Sequence, residues 1–313
     1  MRTLVTGITG FVGRHLARAL EEDSPGSVYG TAFPRLPGPA DPRVRFLDLK
    51  DEPGVLALLD EVRPDRIFHL AAVSNVRASW QMRSETLAVN VGGTQNLLEA
   101  VRKTVPECRI LFVSSSDVYG HVGSRGEGLD ESEPFQILNP YAFSKAAGEM
   151  LCGFYGSVEC LDIVIARPFP HTGPGQSEDF VCSDWARQIV RIERGESEPV
   201  VRVGSLDVRR DFCDVRDVVE AYRALMDKGG RGETYNICSG KPLGLREILD
   251  FLIAEAAGKP AIAVEVDPAK LRKTDLPLLA GRNGKIAAAT GWAPRIPMTR
   301  TLKDLLGYWR GGR

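Results

Sequence analysis

Tyr141 and Lys145, in Tyr141-Ala142-Phe143-Ser144-Lys145, carry the strongest chemical signal in this chain. Residues four apart share one face of a helix. An ammonium beside a phenol favours the phenolate and lowers its pKa, which would make Tyr141 an acid or base near neutral pH. Pro140 stands where that helix would begin. Taken alone, the pair is also consistent with an ordinary helix start. A second group lies upstream, in Val113-Ser114-Ser115-Ser116-Asp117-Val118-Tyr119-Gly120. Hydroxyls at the carboxyl end of a strand sit where the ligand crevice of an open α/β sheet forms. Ser115 is placed to hydrogen-bond a substrate oxygen, and Ser116 and Ser74 are assigned to the substrate as well.

A third group stands at the amino end. Glycines at 7, 10 and 13 fall between a short apolar strand (3–6) and a helix. Gly7 permits a turn closed to other residues, Gly10 lets the main chain approach a pyrophosphate, and Gly13 lets the helix pack on the strand. The first-turn N–H groups, Phe11 and Val12 among them, then face the phosphates, and the helix dipole favours their charge. The spacing is G-x-x-G-x-x-G rather than G-x-G-x-x-G. A glycine-rich turn without a ligand is the competing reading. Leu70 and Ala71, at the end of the buried strand 66–71, and Ala72 after it are assigned to the same cofactor.

Cofactor choice is read from the second strand. Folds that prefer NAD usually end that strand in Asp or Glu, which holds the ribose 2′-hydroxyl. Here Val28-Tyr29-Gly30-Thr31-Ala32-Phe33-Pro34-Arg35 contains no acid. Asp23 comes too early, and Asp48, with Leu49, is expected at the adenine. Arg35 and Arg14 are cations for a 2′-phosphate. NADP(H) is therefore the expected cofactor, with NAD(H) as the second option.

The elements that must position these groups alternate regularly. Strands are expected at 27–33, 44–47, 66–71, 109–114 and 161–166, with helices at 55–62, 86–103 and 141–155 between them. Such repeats mean a parallel sheet with right-handed crossovers. After Pro168 the segment 169–179 is irregular, and helices follow at 181–194, after Asp214 through Met226, at 245–256 and at 301–309, with a strand at 233–238. The expected fold class is α/β: a doubly wound Rossmann domain (1–166 and 208–240) with a smaller α/β substrate-binding cap (167–207 and 241–313). A net charge of -1 over 313 residues argues against a nucleic-acid or membrane-surface binder. The six cysteines have no C-x-x-C or zinc spacing, the four histidines form no metal cluster, and no signal-peptide pattern or membrane-length apolar run is present. No metal and a cytoplasmic location are expected.

These motifs, in this order, resemble the extended short-chain dehydrogenase/reductase family over nearly the whole chain. Val5-Thr6-Gly7 through Gly13, His69-Leu70-Ala71-Ala72, Ser115 and Tyr141-x-x-x-Lys145 carry the resemblance. It implies that Tyr141 is the acid/base, that Lys145 binds the nicotinamide ribose, that Ser115 polarises a carbonyl and that the helix of Asn90 supports the site. Arg167 to Gln176, Arg210-Asp211-Phe212-x-Asp214-Val215-Arg216-Asp217 and Thr290-Gly291-Trp292 are similar to segments of GDP-6-deoxy-4-keto-mannose reductases, with Pro170 departing from the usual asparagine. The resemblance implies reduction of the C4 ketone of a nucleotide-linked 4-keto-6-deoxyhexose, and a homodimer through the helices beginning near Thr86 and Tyr141. Asp117 stands where the related 4,6-dehydratases carry a glutamate, which keeps that activity, and 4-epimerisation, as alternatives. A dinucleotide-sensing protein without catalysis is the non-enzyme alternative. Arg210 and Arg272 are the candidate grips on a diphosphate, and His171, in an irregular loop, is a candidate substrate contact.

Overall fold

The computed structural model describes residues 1–34, 41–125, 128–271 and 276–312. Arg35 and Arg272 lie outside the described residues. Strands β1 (Thr3–Thr6), β2 (Val28–Ala32), β3 (Val44–Phe46), β4 (Arg66–His69), β5 (Arg109–Val113) and β6 (Asp162–Pro168) are followed by two short strands, β7 (His171–Thr172) and β8 (Val200–Val203). Next come β9 (Arg209–Arg210), β10 (Cys213–Asp214), β11 (Thr234–Ile237), β12 (Leu243–Gly244), β13 (Ala263–Val266) and β14 (Leu278–Leu279). Seven strands form one parallel sheet in the order β11-β6-β5-β4-β1-β2-β3. The order reverses between β1 and β4, the switch point at which such sheets open a ligand crevice.

Helices cover both faces because each inner strand is apolar on both sides. Ile110 and Phe112 of β5 point to one face. That face is covered by α2 (Glu52–Val62) and, further along the chain, by α5 (Gly93–Thr104) and α6 (Pro140–Ser157). Two short helices, α3 (Val76–Gln81) and α4 (Arg83–Leu87), precede α5. Leu111 points the other way, into a cluster with Leu16 of α1 (Phe11–Asp23) and with Val218, Tyr222 and Leu225. A third cluster lies beyond the sheet. It joins Trp185 and Ile189 of α7 (Val181–Glu193), Leu249 and Leu252, and Leu302 and Leu305. Val218, Tyr222 and Leu225 belong to α8 (Val215–Lys228), Leu249 and Leu252 to α9 (Leu245–Ala254) and, after α10 (Gly284–Thr290), Leu302 and Leu305 to α11 (Met298–Arg310).

Three buried or half-buried carboxylates join these layers. Asp211 accepts from the N–H groups of Ser239 (2.8 Å), Gly240 (2.9 Å) and Gly281 (3.2 Å). Asp214 caps α8 through Arg216 N (2.7 Å) and accepts from Thr301 Oγ1 of α11 (2.7 Å). Asp217 accepts from Arg295 N and Ile296 N at 3.0 and 2.8 Å. Each acid satisfies donors that burial would otherwise strand.

The helix expected over 86–103 is present, with one local change of pitch. A π-helical turn, Ala88–Gly92, separates α4 from α5. The turn carries Asn90, whose side chain accepts from Val73 N at 2.7 Å and donates to Val73 O at 3.1 Å. An inserted residue of this kind often marks a functional position.

Gly13 sets the contact between α1 and the loop before it. A Cβ there would fall 2.2 Å from Gly7 O and 2.8 Å from Ile8 O. Gly13→Ala is expected to lower stability by about 1–3 kcal/mol through overpacking and to abolish dinucleotide binding. Urea unfolding and cofactor titration measure both, and an unchanged midpoint with intact binding would refute the close-approach role.

Candidate active site

The glycine loop is built around close backbone approach. Gly7 has φ +71, and a Cβ there would meet Ala71 Cα at 3.0 Å. Gly10 precedes α1 in extended conformation with no side-chain cap, so the first-turn N–H groups of Phe11, Val12 and Gly13 belong to an uncapped helix start. This cradle fits the pyrophosphate of a dinucleotide: side chains are excluded where the anion must approach, and donors face it.

The loop is pinned from beneath by hydroxyls and a histidine. Thr6 Oγ1 accepts from Leu70 N (3.1 Å) and Ala71 N (3.2 Å) and lies 2.8 Å from His69 Nδ1. Thr94 Oγ1 donates to Asn90 O at 2.6 Å and lies 2.9 Å from His69 Nε2. Each hydroxyl has one proton, so Thr6 donates to Nδ1 and Nε2–H donates to Thr94. Burial, aided by the charge of Lys145, pushes His69 down to about 3 and keeps it neutral.

Tyr141 and Lys145 share the inner face of α6, both buried. Asn139 caps the helix by accepting from Ala142 N at 2.7 Å. Asn90 Nδ2 donates to Ser144 Oγ (2.8 Å), which donates to Tyr141 O (2.7 Å), so the π turn holds the first turn of α6. Lys145 Nζ donates to Val113 O at 2.8 Å, and burial lowers its pKa to about 8 against the opposing charge of Glu149.

The direction of the Tyr141 shift corrects the expectation from sequence. Burial, and then the charge of Asp117, holds the phenol well above its usual range, with the hydrogen bond from Ser115 pulling the other way. The lysine is aimed at the end of β5, with Nζ 5.9 Å from the Tyr141 ring centroid. Tyr141 is therefore a phenol, a proton donor rather than a resident base. Ser115 Oγ also accepts from Asp117 N at 3.1 Å.

A buried polar network that sequence reasoning missed underlies these groups. Arg167 donates to both carboxylate oxygens of Glu149 at 2.7–3.2 Å. Ser114 Oγ donates to Glu149, and Arg167 Nη1 donates to Tyr119 Oη at 2.9 Å. Tyr119 in turn donates to Asn236 Oδ1 at 2.7 Å. The available signal was Glu149 itself, a carboxylate four residues after Lys145 and hence on its buried face.

The other candidates fall in several places. Leu70, Ala71 and Ala72 lie half-buried by the glycine loop, Ser116 is buried and Ser74 exposed. Leu49 is buried, and Asp48 accepts from Lys50 N at 3.0 Å. Arg210 donates to Leu276 O at 2.6 Å and Arg209 O at 2.9 Å. His171 stands against the dinucleotide loop: its ring stacks on that of Phe11. Among the described residues no His, Cys, Asp and Glu groups of three or more are arranged to hold a metal, and no helix is long and apolar enough to cross a membrane.

Comparison with known proteins agrees with this geometry. The family model described as GDP-mannose 4,6 dehydratase matches residues 4–305. The GDP-6-deoxy-D-mannose reductase of Pseudomonas aeruginosa is 37% identical over 308 residues, 98% of this chain and 97% of its own. The solved structure of RMD from Pseudomonas aeruginosa complexed with NADPH matches with a TM-score of 0.87 at 34% identity, covering 100% of both chains. The Thermus thermophilus UDP-glucose 4-epimerase in complex with NAD matches with a TM-score of 0.87 at 29% identity, again over 100% of both chains.

Tyr141→Phe keeps the ring and removes the proton. Turnover is expected to fall on the order of 10²–10⁴ with cofactor affinity nearly unchanged. A kcat within about twofold of the original protein, in the reductase assay below, would remove Tyr141 from the chemistry.

Proposed function

This chain belongs to the GDP-mannose 4,6-dehydratase family of extended short-chain dehydrogenases/reductases, and from that premise we propose that it reduces the C4 ketone of GDP-4-keto-6-deoxymannose with a reduced nicotinamide dinucleotide. Enzymes of nucleotide sugars make up its relatives, and a nicotinamide dinucleotide is the cofactor. The observation that carries this reading is the 37% identity to the Pseudomonas aeruginosa GDP-6-deoxy-D-mannose reductase over 98% of this chain, with Tyr141 beside Ser115 and Lys145 placed as its proton donor.

The chain's own residues have defined tasks in that reaction. Ser115 Oγ, oriented by Asp117 N, donates to the ketone oxygen. The nicotinamide, when bound, supplies the hydride to C4. Tyr141 gives its proton to the oxygen as negative charge develops there, so ketone, hydride and proton become a secondary alcohol. Lys145, anchored at Val113, holds the ribose and supplies a positive charge that eases loss of the phenolic proton. A 4,6-dehydratase needs a base at C5, and Asp117 is one methylene shorter than the glutamate expected for that role.

NADPH is proposed as the preferred cofactor. The described end of β2, Gly30-Thr31-Ala32-Phe33, offers no carboxylate to a ribose 2′-hydroxyl and none to repel a 2′-phosphate. Arg14, exposed on α1, and Arg35 are the proposed partners of that phosphate. Ser74 and Ser116 are proposed at the sugar, and Arg210 and Arg272 at the diphosphate. The division into 1–166 with 208–240 and 167–207 with 241–313 is retained as a proposal, although Ile286 and Trp292 pack with the sheet's own core. Five of the six unpaired cysteines are buried, which suits a reducing compartment, and a cytoplasmic location is proposed.

The decisive experiment mixes the protein with GDP-4-keto-6-deoxymannose and either NADPH or NADH. Equimolar loss of NADPH and ketone is expected, with kcat/KM higher for NADPH and the ratio reduced by Arg35→Ala. Conversion of GDP-mannose to the ketone with no reductant would make the chain a dehydratase. A higher kcat/KM for NADH would overturn the cofactor preference.

A homodimer is proposed through α5 and α6. Phe143, Met150 and Phe154 are exposed by about half or more along one side of α6, at spacings of seven and four. Such a stripe on a helix whose other side is buried suits a twofold interface. Light scattering at micromolar concentration is expected to give twice 34.2 kDa, and Met150→Glu is expected to give the monomer mass. A monomeric original protein would overturn the proposal.

A further inference from the structure

The dinucleotide loop and the Pro/Gly-rich loop after β6 meet through side chains that the reduction itself does not use. Phe11 opens α1, and the ring of His171 lies nearly parallel to its ring, at 10° and 6.1 Å between centroids. His15, one turn along α1, packs edge-on against Phe11 at 88° and 5.6 Å. Its Nε2 lies 2.8 Å from Pro174 O. A carbonyl only accepts, so that nitrogen carries the proton. By the same reasoning His171 Nδ1 donates to Phe169 O at 2.9 Å. Burial lowers the His171 pKa, which keeps the stacked ring neutral.

The loop on the far side of this contact is rigid. Gln176 Nε2 donates to His171 O (2.9 Å), Thr172 Oγ1 donates to Gln176 Oε1 (2.6 Å), and Ser183 Oγ donates to Gln176 O (2.7 Å). His171 and Thr172 pair in register with Cys213 and Asp214, three residues past Arg210. Bonded or packed groups therefore run without a gap from the helix start at Phe11 to the strand pair β7–β10, which Arg210 precedes by three residues in the chain. Close-packed elements of this kind pass on displacement instead of absorbing it.

We propose that Phe11, His15 and His171 form a latch between the two halves of the crevice, so that filling the pyrophosphate cradle fixes the loop at His171 and, through β7 and β10, the nucleotide-sugar side. These are positioning residues. The proposal rests on the reductase reading only for the identity of the second ligand. Coupling between two binding sites is reciprocal, so each ligand must tighten the other by the same factor. A contact that merely stabilises the fold would shift both affinities without changing that factor.

Calorimetric titration of the full chain tests this, with NADPH and GDP as the probes. The original protein is expected to bind each ligand about fivefold or more tightly in the presence of the other. His15→Ala is expected to bring the factor close to one while each ligand still binds alone. His15→Gln, which keeps a donor for Pro174 O, is expected to restore part of it. Arg18→Ala, whose side chain pairs with Glu22 on the exposed side of α1, is expected to leave it unchanged. If His15→Ala does not fold, Phe11→Leu removes the ring stack while filling most of its volume, and the same loss is expected. Absence of GDP binding in the original protein would count against the GDP assignment, and the same titrations with UDP and dTDP then decide the latch. A factor of one in the original protein with all three nucleotides, or an unchanged factor in the latch variants, overturns it.

Discussion

A single buried carboxylate, Glu149, holds together the elements on which the site is built. Glu149 and Arg167 are each about 5% exposed. Burying an ion pair costs several kcal/mol per ion unless geometry and further hydrogen bonds recover it. Here they do. The carboxylate accepts from Ser114 at the end of β5 and from Arg167 at the end of β6. The guanidinium reaches Tyr119, and Tyr119 reaches Asn236 of β11. Three neighbouring strands and α6 are thus fixed at the level where the ligand crevice begins. Lys145 stands one turn before Glu149, so its anchorage to Val113 O inherits that rigidity.

Charge is kept apart from proton transfer by burial. His69 is neutral, locked between two threonine hydroxyls, and serves the glycine loop rather than the reaction. Lys145 keeps its charge near neutrality although burial brings it to about 8, because the carboxylate of Glu149 opposes the loss. Tyr141 is pushed the other way by burial and by Asp117. The neighbouring lysine therefore does not generate a phenolate in advance. It makes the anion accessible at the moment the phenol gives up its proton, the protonation state a reduction requires.

Legibility in the sequence followed the range of the interaction. The glycine loop, the inner strands and Tyr141 with Lys145 were readable because each depends on neighbours within about one helical turn or on an apolar run. Strands β7, β9, β10, β12 and β14 are two residues long and carry no periodicity of their own. They exist because Asp211 and its neighbours bond across the chain. The π turn at Ala88–Gly92 is held by a bond between Asn90 and Val73, seventeen residues away. The irregular loop marks His171 as a candidate substrate contact, but its stacking on Phe11, far away in sequence, has no local signal. The sign of the Tyr141 shift was missed because spacing reveals an ammonium but not the degree of burial around it.

The same framework explains how closely similar folds perform reduction, dehydration and epimerisation. The interactions that hold the framework lie below the strand ends: Thr6 with His69, Asn90 with Ser144, Glu149 with Arg167. Ser115 Oγ accepts from the backbone N–H of residue 117, a donor that any non-proline residue there supplies. That hydrogen bond does not depend on the length of the side chain at 117, so aspartate and glutamate there both leave it in place. A fold whose framework is held below the strand ends can carry different chemistries at its rim.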